Sequence, residues 1–371
     1  MRPLTIVQWN SASCWGGGEI RTAEMSDNLR GRGHTVRVVC LADTPTHRWF
    51  AGHGFLCEPH APRGSGDLLR AYQLGRVVRR WNADIVHAHA GSDYVPAVVA
   101  GRVAGCPVVL HRHLFRPLSG ITRAVALRWR TMFVGDSEAV ARSLVERDRI
   151  PQERVRCIRL LVDPARLKTG PDVVERARAE FPAFGRPVVV SVGHLYLSKG
   201  HDVLIRAFAL VRGRLPDALL LIAGEGAERA RLQSLITSLH LTDAVRLLGM
   251  RHDIPALLNL ADCFALLSWE DPFPGAILEA LACALPVVGC AAGGVPEMIR
   301  DGVTGFLVPP HDHRTAAERL LQLLTDRPLR GHMSAAARED FNARFSIERM
   351  IDAVESVYAA LVGAGREVIV P

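Results

Sequence analysis

The order of apolar runs constrains this chain more than any single residue does. Short runs suited to strands, at residues 4–9, 36–41, 84–89 and 107–111, alternate with longer segments whose apolar residues recur at helical spacing, up to about residue 29 and at 68–81 and 94–104. A second series opens with the uninterrupted apolar run 187–193 and continues through 219–226, 245–249, a buried strand ending near Ser268, and 286–289. Alternation at this pace builds βα units with parallel strands, and such sheets bind ligands at their strand carboxyl ends. With 371 residues the chain exceeds one ordinary domain, so two α/β domains are expected, each with its own core. Residues 163–171 read as the linker. This places domains at 1–163 and 164–351, with a helix at about 352–371 returning to the first domain across a kink that the sequence does not locate.

The stretch 268–282 carries the clearest site. Pro272, Pro274 and Gly275 forbid regular structure until Ala276, after which Ile277, Leu278, Leu281 and Ala282 return at helical spacing. Phe273-Pro274-Gly275-Ala276 therefore opens a helix whose bare N–H groups favour a phosphate. Asp271 precedes that opening and Glu279 lies one to two turns inside it, placed to accept hydrogen bonds from hydroxyls. A sugar joined to a nucleoside diphosphate offers both kinds of group; a helix cap at Asp271 and a solvated Glu279 would give the same pattern.

Other strand ends add candidates. Of 45 basic residues only Lys168 and Lys199 are lysine, and Lys199 follows the strand 187–193 and His194, next to a helix start. That is a phosphate position. Gly16-Gly17-Gly18-Glu19 follows the first strand, although the dinucleotide spacing Gly-x-Gly-x-x-Gly is not met. Gly224-Glu225-Gly226 repeats the strand-to-glycine step, and Arg251 opens the next helix. His87/His89 and His111/His113 each share a face at a strand end. Neither pair has a third His or a carboxylate at ligand spacing, so neutral histidines hydrogen-bonding a ligand are expected and no metal.

Charge and cysteine content narrow the partners. Residues 1–163 hold 23 Arg against 14 acids, a net of +9, while 164–371 have a net of −2. Aromatic residues are sparse and no groove-reading motif accompanies the arginines, so nucleic acid is not expected; an anionic acceptor or an anionic membrane surface is. Residues 112–132 interleave arginines with Leu114, Phe115, Ile121 and Trp129, as a membrane-surface segment or a helix with one solvated side would. The eight cysteines form no Cys-x-x-Cys pair, and no apolar run reaches membrane-span length, so a cytoplasmic protein, at most peripheral on a membrane, is expected.

Together the motifs carry a resemblance that spans nearly the whole chain: Gly16-Gly17-Gly18-Glu19, 84–89, Ser137-Glu138, Val162-Asp163, Ser198-Lys199-Gly200, Gly224-Glu225-Gly226, Gly249, Glu279-Ala280 and Gly293-Gly294-Val295-Pro296-Glu297. The chain resembles the retaining glycosyltransferases of glycosyltransferase family 4. The resemblance implies an α/β GT-B fold, two Rossmann-like domains with parallel sheets facing across a cleft, the first binding acceptor and the second a nucleotide-sugar donor. It implies that Lys199 neutralises the donor diphosphate with backbone N–H groups near Gly275 and without a metal, that Glu279 holds the ribose, that Asp271 contacts the sugar and that His113 lies near the transferred sugar. Gly17 and Gly18 would let their loop approach the phosphates, and Gly224, Arg251, Phe273, Pro274 and Ala276 would line the donor. The implied activity is transfer to a saccharide or lipid-linked acceptor in polysaccharide or lipopolysaccharide assembly, with no cofactor beyond the donor itself.

Two positions depart from the family. Asp271 stands where the first of two Glu is usual, and His194 stands where an Arg is usual five residues before the lysine. These departures keep open a catalytically weakened nucleotide-sugar-binding subunit, beside another GT-B enzyme such as a phosphorylase or an epimerase.

Overall fold

The computed structural model describes residues 2–363 apart from 63, 160, 182 and 184; the stretch 364–371 of the expected returning helix lies outside the described residues. The chain divides into two units, one running up to Leu161 and resuming at Ile347, the other spanning Val162–Ser346.

The first unit is built on seven strands, β1 (Thr5–Trp9), β2 (Thr35–Val39), β3 (Leu56–Glu58), β4 (Ile85–Ala88), β5 (Val108–Arg112), β6 (Thr131–Gly135) and β7 (Val155–Cys157), in the order β3-β2-β1-β4-β5-β6-β7. The second has β8 (Val188–Val192), β9 (Leu219–Ala223), β10 (Val245–Gly249), β11 (Cys263–Leu266), β12 (Val287–Cys290) and β13 (Gly305–Val308), in the order β10-β9-β8-β11-β12-β13. All the pairings within both sheets are parallel. Both units are thus Rossmann-like. Helices on both faces explain why β4, β5, β9 and β11 are buried along their whole length, and why β9 and β11 read as unbroken apolar runs.

In each sheet the strand order reverses once, between β1 and β4 and between β8 and β11. Loops leaving the carboxyl ends there diverge and leave room for a ligand. Two glycines hold the second reversal tight. Gly224 (φ +147°) passes so close to the Gly193 carbonyl that an added Cβ would lie 2.0 Å from its oxygen, and Gly200 (φ +69°) approaches Leu267 in the same way at 2.2 Å.

Three local readings change. Residues 112–132 are not one amphipathic segment, because Arg112 ends β5, a helix occupies only Gly120–Leu127, and β6 starts at Thr131. The helix Pro45–Gly52 and β3 were not anticipated, although Thr44 accepting from the His47 N–H at 3.1 Å with Pro45 behind it is a regular helix start. The chain breaks at Phe345 (φ −121°, ψ 36°), between the helices Arg327–Arg344 and Ile347–Gly363. The latter helix packs on the first unit, where Arg32 reaches Asp352 at 2.5 Å and Glu355 at 2.9 Å.

Candidate functional site

Lys199 lies in the turn Leu197–Lys199 after β8, and Asp271 lies in the loop after β11, so the two strands flanking the reversal of the second sheet each deliver one charged group. The Lys199 ammonium pairs with Asp271 Oδ2; the lysine side chain is 22% exposed and the carboxylate 7%. Neighbouring loops fix this pair. The Ser198 carbonyl accepts from the Trp269 N–H and from Ser268 Oγ, both at 3.1 Å, and Ser268 Oγ is 3.3 Å from Asp271 Oδ2. On the other side the Asp271 carbonyl accepts from the Gly294 N–H at 2.9 Å, and Gly293 (φ +61°) has no room for a Cβ beside it.

The helix Gly275–Ala282 starts immediately after this loop, with Pro274 at its cap position and no described side chain closing it. Its first N–H groups therefore carry uncompensated positive character. Glu279 is half-buried one turn inside. The arrangement offers an ammonium and a helix start for an anion, with Asp271 and Glu279 as hydrogen-bond acceptors.

Other candidates in this unit have packing reasons of their own. Phe273 is buried edge-on to Phe345, with ring centroids 6.2 Å apart, so its side chain belongs to the core. Arg251 is held by Glu180 at 2.7 and 2.8 Å and by Asp253 at 2.7 and 2.8 Å, which raises its pKa and ties the Pro171–Glu180 helix to the turn after β10. The close approach to Gly193 accounts for Gly224. His194 is exposed and stacks on Tyr196 at 5.3 Å.

In the first unit, Gly17 and Gly18 begin the helix Gly17–Gly31 after β1. A Cβ on Gly18 would meet nothing within 4 Å, and one on Gly17 only the Arg21 guanidinium at 3.8 Å. Internal packing does not demand glycine at either position, and this leaves their backbone open to an outside group.

The two His-x-His pairs, separate in the sequence, join at the ends of β4 and β5. His87 and His89 stack at 4.4 Å, His111 and His113 at 4.6 Å, and the pairs face each other at 5.3 and 5.6 Å. Asp136, just beyond β6, supplies the carboxylate that no spacing revealed: its oxygens lie 2.9 Å from His111 Nε2 and 2.8 Å from His113 Nδ1. Gln8 and Tyr358 close the far side of the array. Burial, with repulsion between the imidazoles, pushes His87 and His89 well below the ordinary histidine value; burial also lowers His111, against the pull of Asp136. Burial would raise the Asp136 carboxyl, but its histidine partners outweigh that and hold it well below the usual carboxylate range.

Two Rossmann-like units of this strand order define a GT-B protein. A structure from Anabaena, Alr3699/HepE in complex with UDP and glucose, superposes over 96% of this chain and 100% of its own with a TM-score of 0.85 at 23% identity. The family described as Glycosyltransferase Family 4 matches residues 15–166, and that described as Glycosyl transferases group 1 matches 174–340. D-inositol 3-phosphate glycosyltransferase of Salinispora arenicola is 32% identical over 314 residues, 76% of this chain and 69% of that protein. N-acetyl-alpha-D-glucosaminyl L-malate synthase of Bacillus anthracis is 26% identical over 304 residues, 79% and 78%. The chain belongs to glycosyltransferase family 4 and is a glycosyltransferase of the GT-B type.

Proposed function

We propose that this enzyme is a retaining transferase that moves a sugar from a nucleoside-diphosphate sugar to a saccharide or lipid-linked acceptor in cell-surface polysaccharide or lipopolysaccharide assembly. The observation that carries the reading is Lys199, set by Asp271 beside the uncapped helix start at Gly275. As the bond from the anomeric carbon to the diphosphate oxygen breaks, charge builds on the diphosphate. Lys199 and the N–H groups of Gly275 and Ala276 offset it, so that step needs no metal. The acceptor hydroxyl attacks the face the leaving group vacates, which retains configuration, and its proton passes to a diphosphate oxygen. Asp271 accepts from a sugar hydroxyl and Glu279 from the ribose. The role of His113 near the sugar, and of Gly17 and Gly18 near the phosphates, is proposed on the family resemblance.

UDP in the Anabaena structure favours a uridine donor. The two relatives carry L-malate and D-inositol 3-phosphate in their names, both anions, which suits the arginine-rich first half of this chain. Among the described residues no helix is long and apolar enough to cross a membrane. The same arginines are proposed to give a salt-sensitive, peripheral contact with anionic lipid on the cytoplasmic face.

A thermal-shift screen against uridine, guanosine and adenosine diphosphates and their sugars, without metal, tests the donor site. At about 100 times Kd, one nucleotide is expected to raise the Tm by about 5 °C or more, and Lys199→Ala is expected to lose the shift. No shift with any donor would overturn the reading. Binding without turnover on any acceptor would favour a non-catalytic subunit.

A further inference from the structure

We propose that Asp136 is a positioning residue: it holds His113 as the neutral Nδ1–H tautomer, so that the ring presents a bare Nε2 to a hydroxyl of the bound sugar. The use of that nitrogen rests on the reading that sets His113 beside the transferred sugar. The place of the proton rests on the first unit's own side chains.

The geometry around Asp136 decides which nitrogen is protonated. His113 Nδ1 lies 2.8 Å from one Asp136 oxygen and 3.0 Å from the other. The carboxyl is buried, and its histidine partners keep it ionised, so both oxygens only accept. A nitrogen set against the two must donate, because its lone pair would otherwise face an anion away from water. The neutral ring then has no proton left for Nε2.

The rest of the array leaves that nitrogen open. His89 Nδ1 is 3.4 Å from His113 Nε2, longer than an ordinary N–H hydrogen bond. His89 Nε2, 2.8 Å from Gln8 Oε1, donates there, so His89 Nδ1 is bare as well. Turning the Gln8 amide over would put a proton on His89 Nδ1 and still none on His113 Nε2. His113 is 19% exposed along its side chain, whereas His87, His89 and His111 are buried, so it is the ring an incoming hydroxyl can reach.

The buried arm of the array anchors the carboxylate from behind. His111 Nε2 is 2.9 Å from Asp136 Oδ1, His111 Nδ1 is 3.2 Å from His87 Nε2, and His87 Nδ1 is 2.6 Å from the Tyr358 hydroxyl. Donation running from Tyr358 to His87, to His111 and on to Asp136 leaves both rings neutral. Asp136 is thereby the common acceptor of a closed arm and an open one. A bare Nε2 accepts and cannot donate, so the site favours a sugar with a hydroxyl at that point over one with hydrogen or an O-methyl group there.

The first test needs no ligand. In the full chain labelled with ¹⁵N-histidine, at pH 7.5, long-range ¹H–¹⁵N spectra are expected to show His113 protonated on Nδ1 alone, its signals identified by their loss in His113→Gln. A proton on Nε2, or on both nitrogens, would overturn the proposal. In Asp136→Asn, with folding checked by circular dichroism, the Nδ1–H preference is expected to be lost. The second test follows UDP release from UDP-glucose, UDP-galactose and UDP-N-acetylglucosamine, with UDP binding measured by calorimetry. Asp136→Asn is expected to lower kcat/KM about 10-fold or more, the size of a hydrogen bond lost at a buried polar group, while UDP alone binds as to the wild type. Unchanged kcat/KM would overturn the positioning role, and so would an equal loss of UDP binding, which marks general damage to the fold. A wild-type chain that binds no nucleotide would count against the donor reading, and the tautomer would still be decided by the spectra.

Discussion

Asp136 and Asp271 occupy corresponding places, each a buried carboxylate just past a strand of a parallel sheet, and they differ in what answers their charge. Asp271 faces a lysine, whose ammonium brings its own positive charge and is partly open to solvent. Asp136 faces imidazoles, which bring charge only by holding a second proton. One fold therefore prepares two kinds of strand end. The one with a fixed cation suits an incoming polyanion, whereas the nitrogen-rich one responds to protons.

The largest effect that would test this contrast is on turnover. Lys199→Ala is expected to lower kcat by about 10²–10³-fold with the fold intact, and Lys199→Ala/Asp271→Ala should be little worse, because the pair acts as a unit. Steady-state kinetics that retain more than about a tenth of wild-type kcat would remove Lys199 from leaving-group stabilisation.

Acid should then separate the units. Burial keeps the folded-state values of His87, His89 and His111 below 6.5, so each binds fewer protons folded than unfolded. Their stabilising contribution is complete above 6.5 and is lost as pH falls toward their lowered values, with Asp136 adding its loss only in much stronger acid. Among the described residues the second unit has a single such histidine, His201, which burial lowers to about 4. Hydrogen exchange compared between neutral pH and about pH 5 should show the first unit opening first. Equal protection in both would break the contrast.

Glycine substitutions sharpen it on a smaller scale. Gly224→Ala forces a Cβ against the Gly193 carbonyl and should cost the second unit about 3 kcal/mol in a denaturant titration. Gly18→Ala meets no neighbour and should shift stability by no more than about 0.5 kcal/mol, although it should weaken any ligand that approaches that loop.

Much of this was legible in the sequence because strand, loop and helix are local. The run of apolar residues before Lys199, the prolines before Gly275 and the glycines after β1 all announce strand ends, and the reversal points fall where those motifs lie. What the sequence could not provide is neighbourhood across the sheet. His87/His89 and His111/His113 become one array only through the β4–β5 pairing, and Asp136 joins them only through the β5–β6 register. Asp136 reads in sequence as part of a cap before Ser137 and Glu138. Arg251 and Phe273 show the converse: their positions beside motifs suggest ligand contact, and in the structure ion pairs and core packing engage their side chains.

The helix Ile347–Gly363 belongs to the first unit, so the chain leaves that unit after Leu161 and comes back only after the whole of the second. Order of synthesis then matters. His87 emerges from the ribosome early, but Tyr358, its hydrogen-bond partner, follows 271 positions later. The second unit can be complete while the imidazole array still lacks one wall, so the first unit, begun first, is finished last.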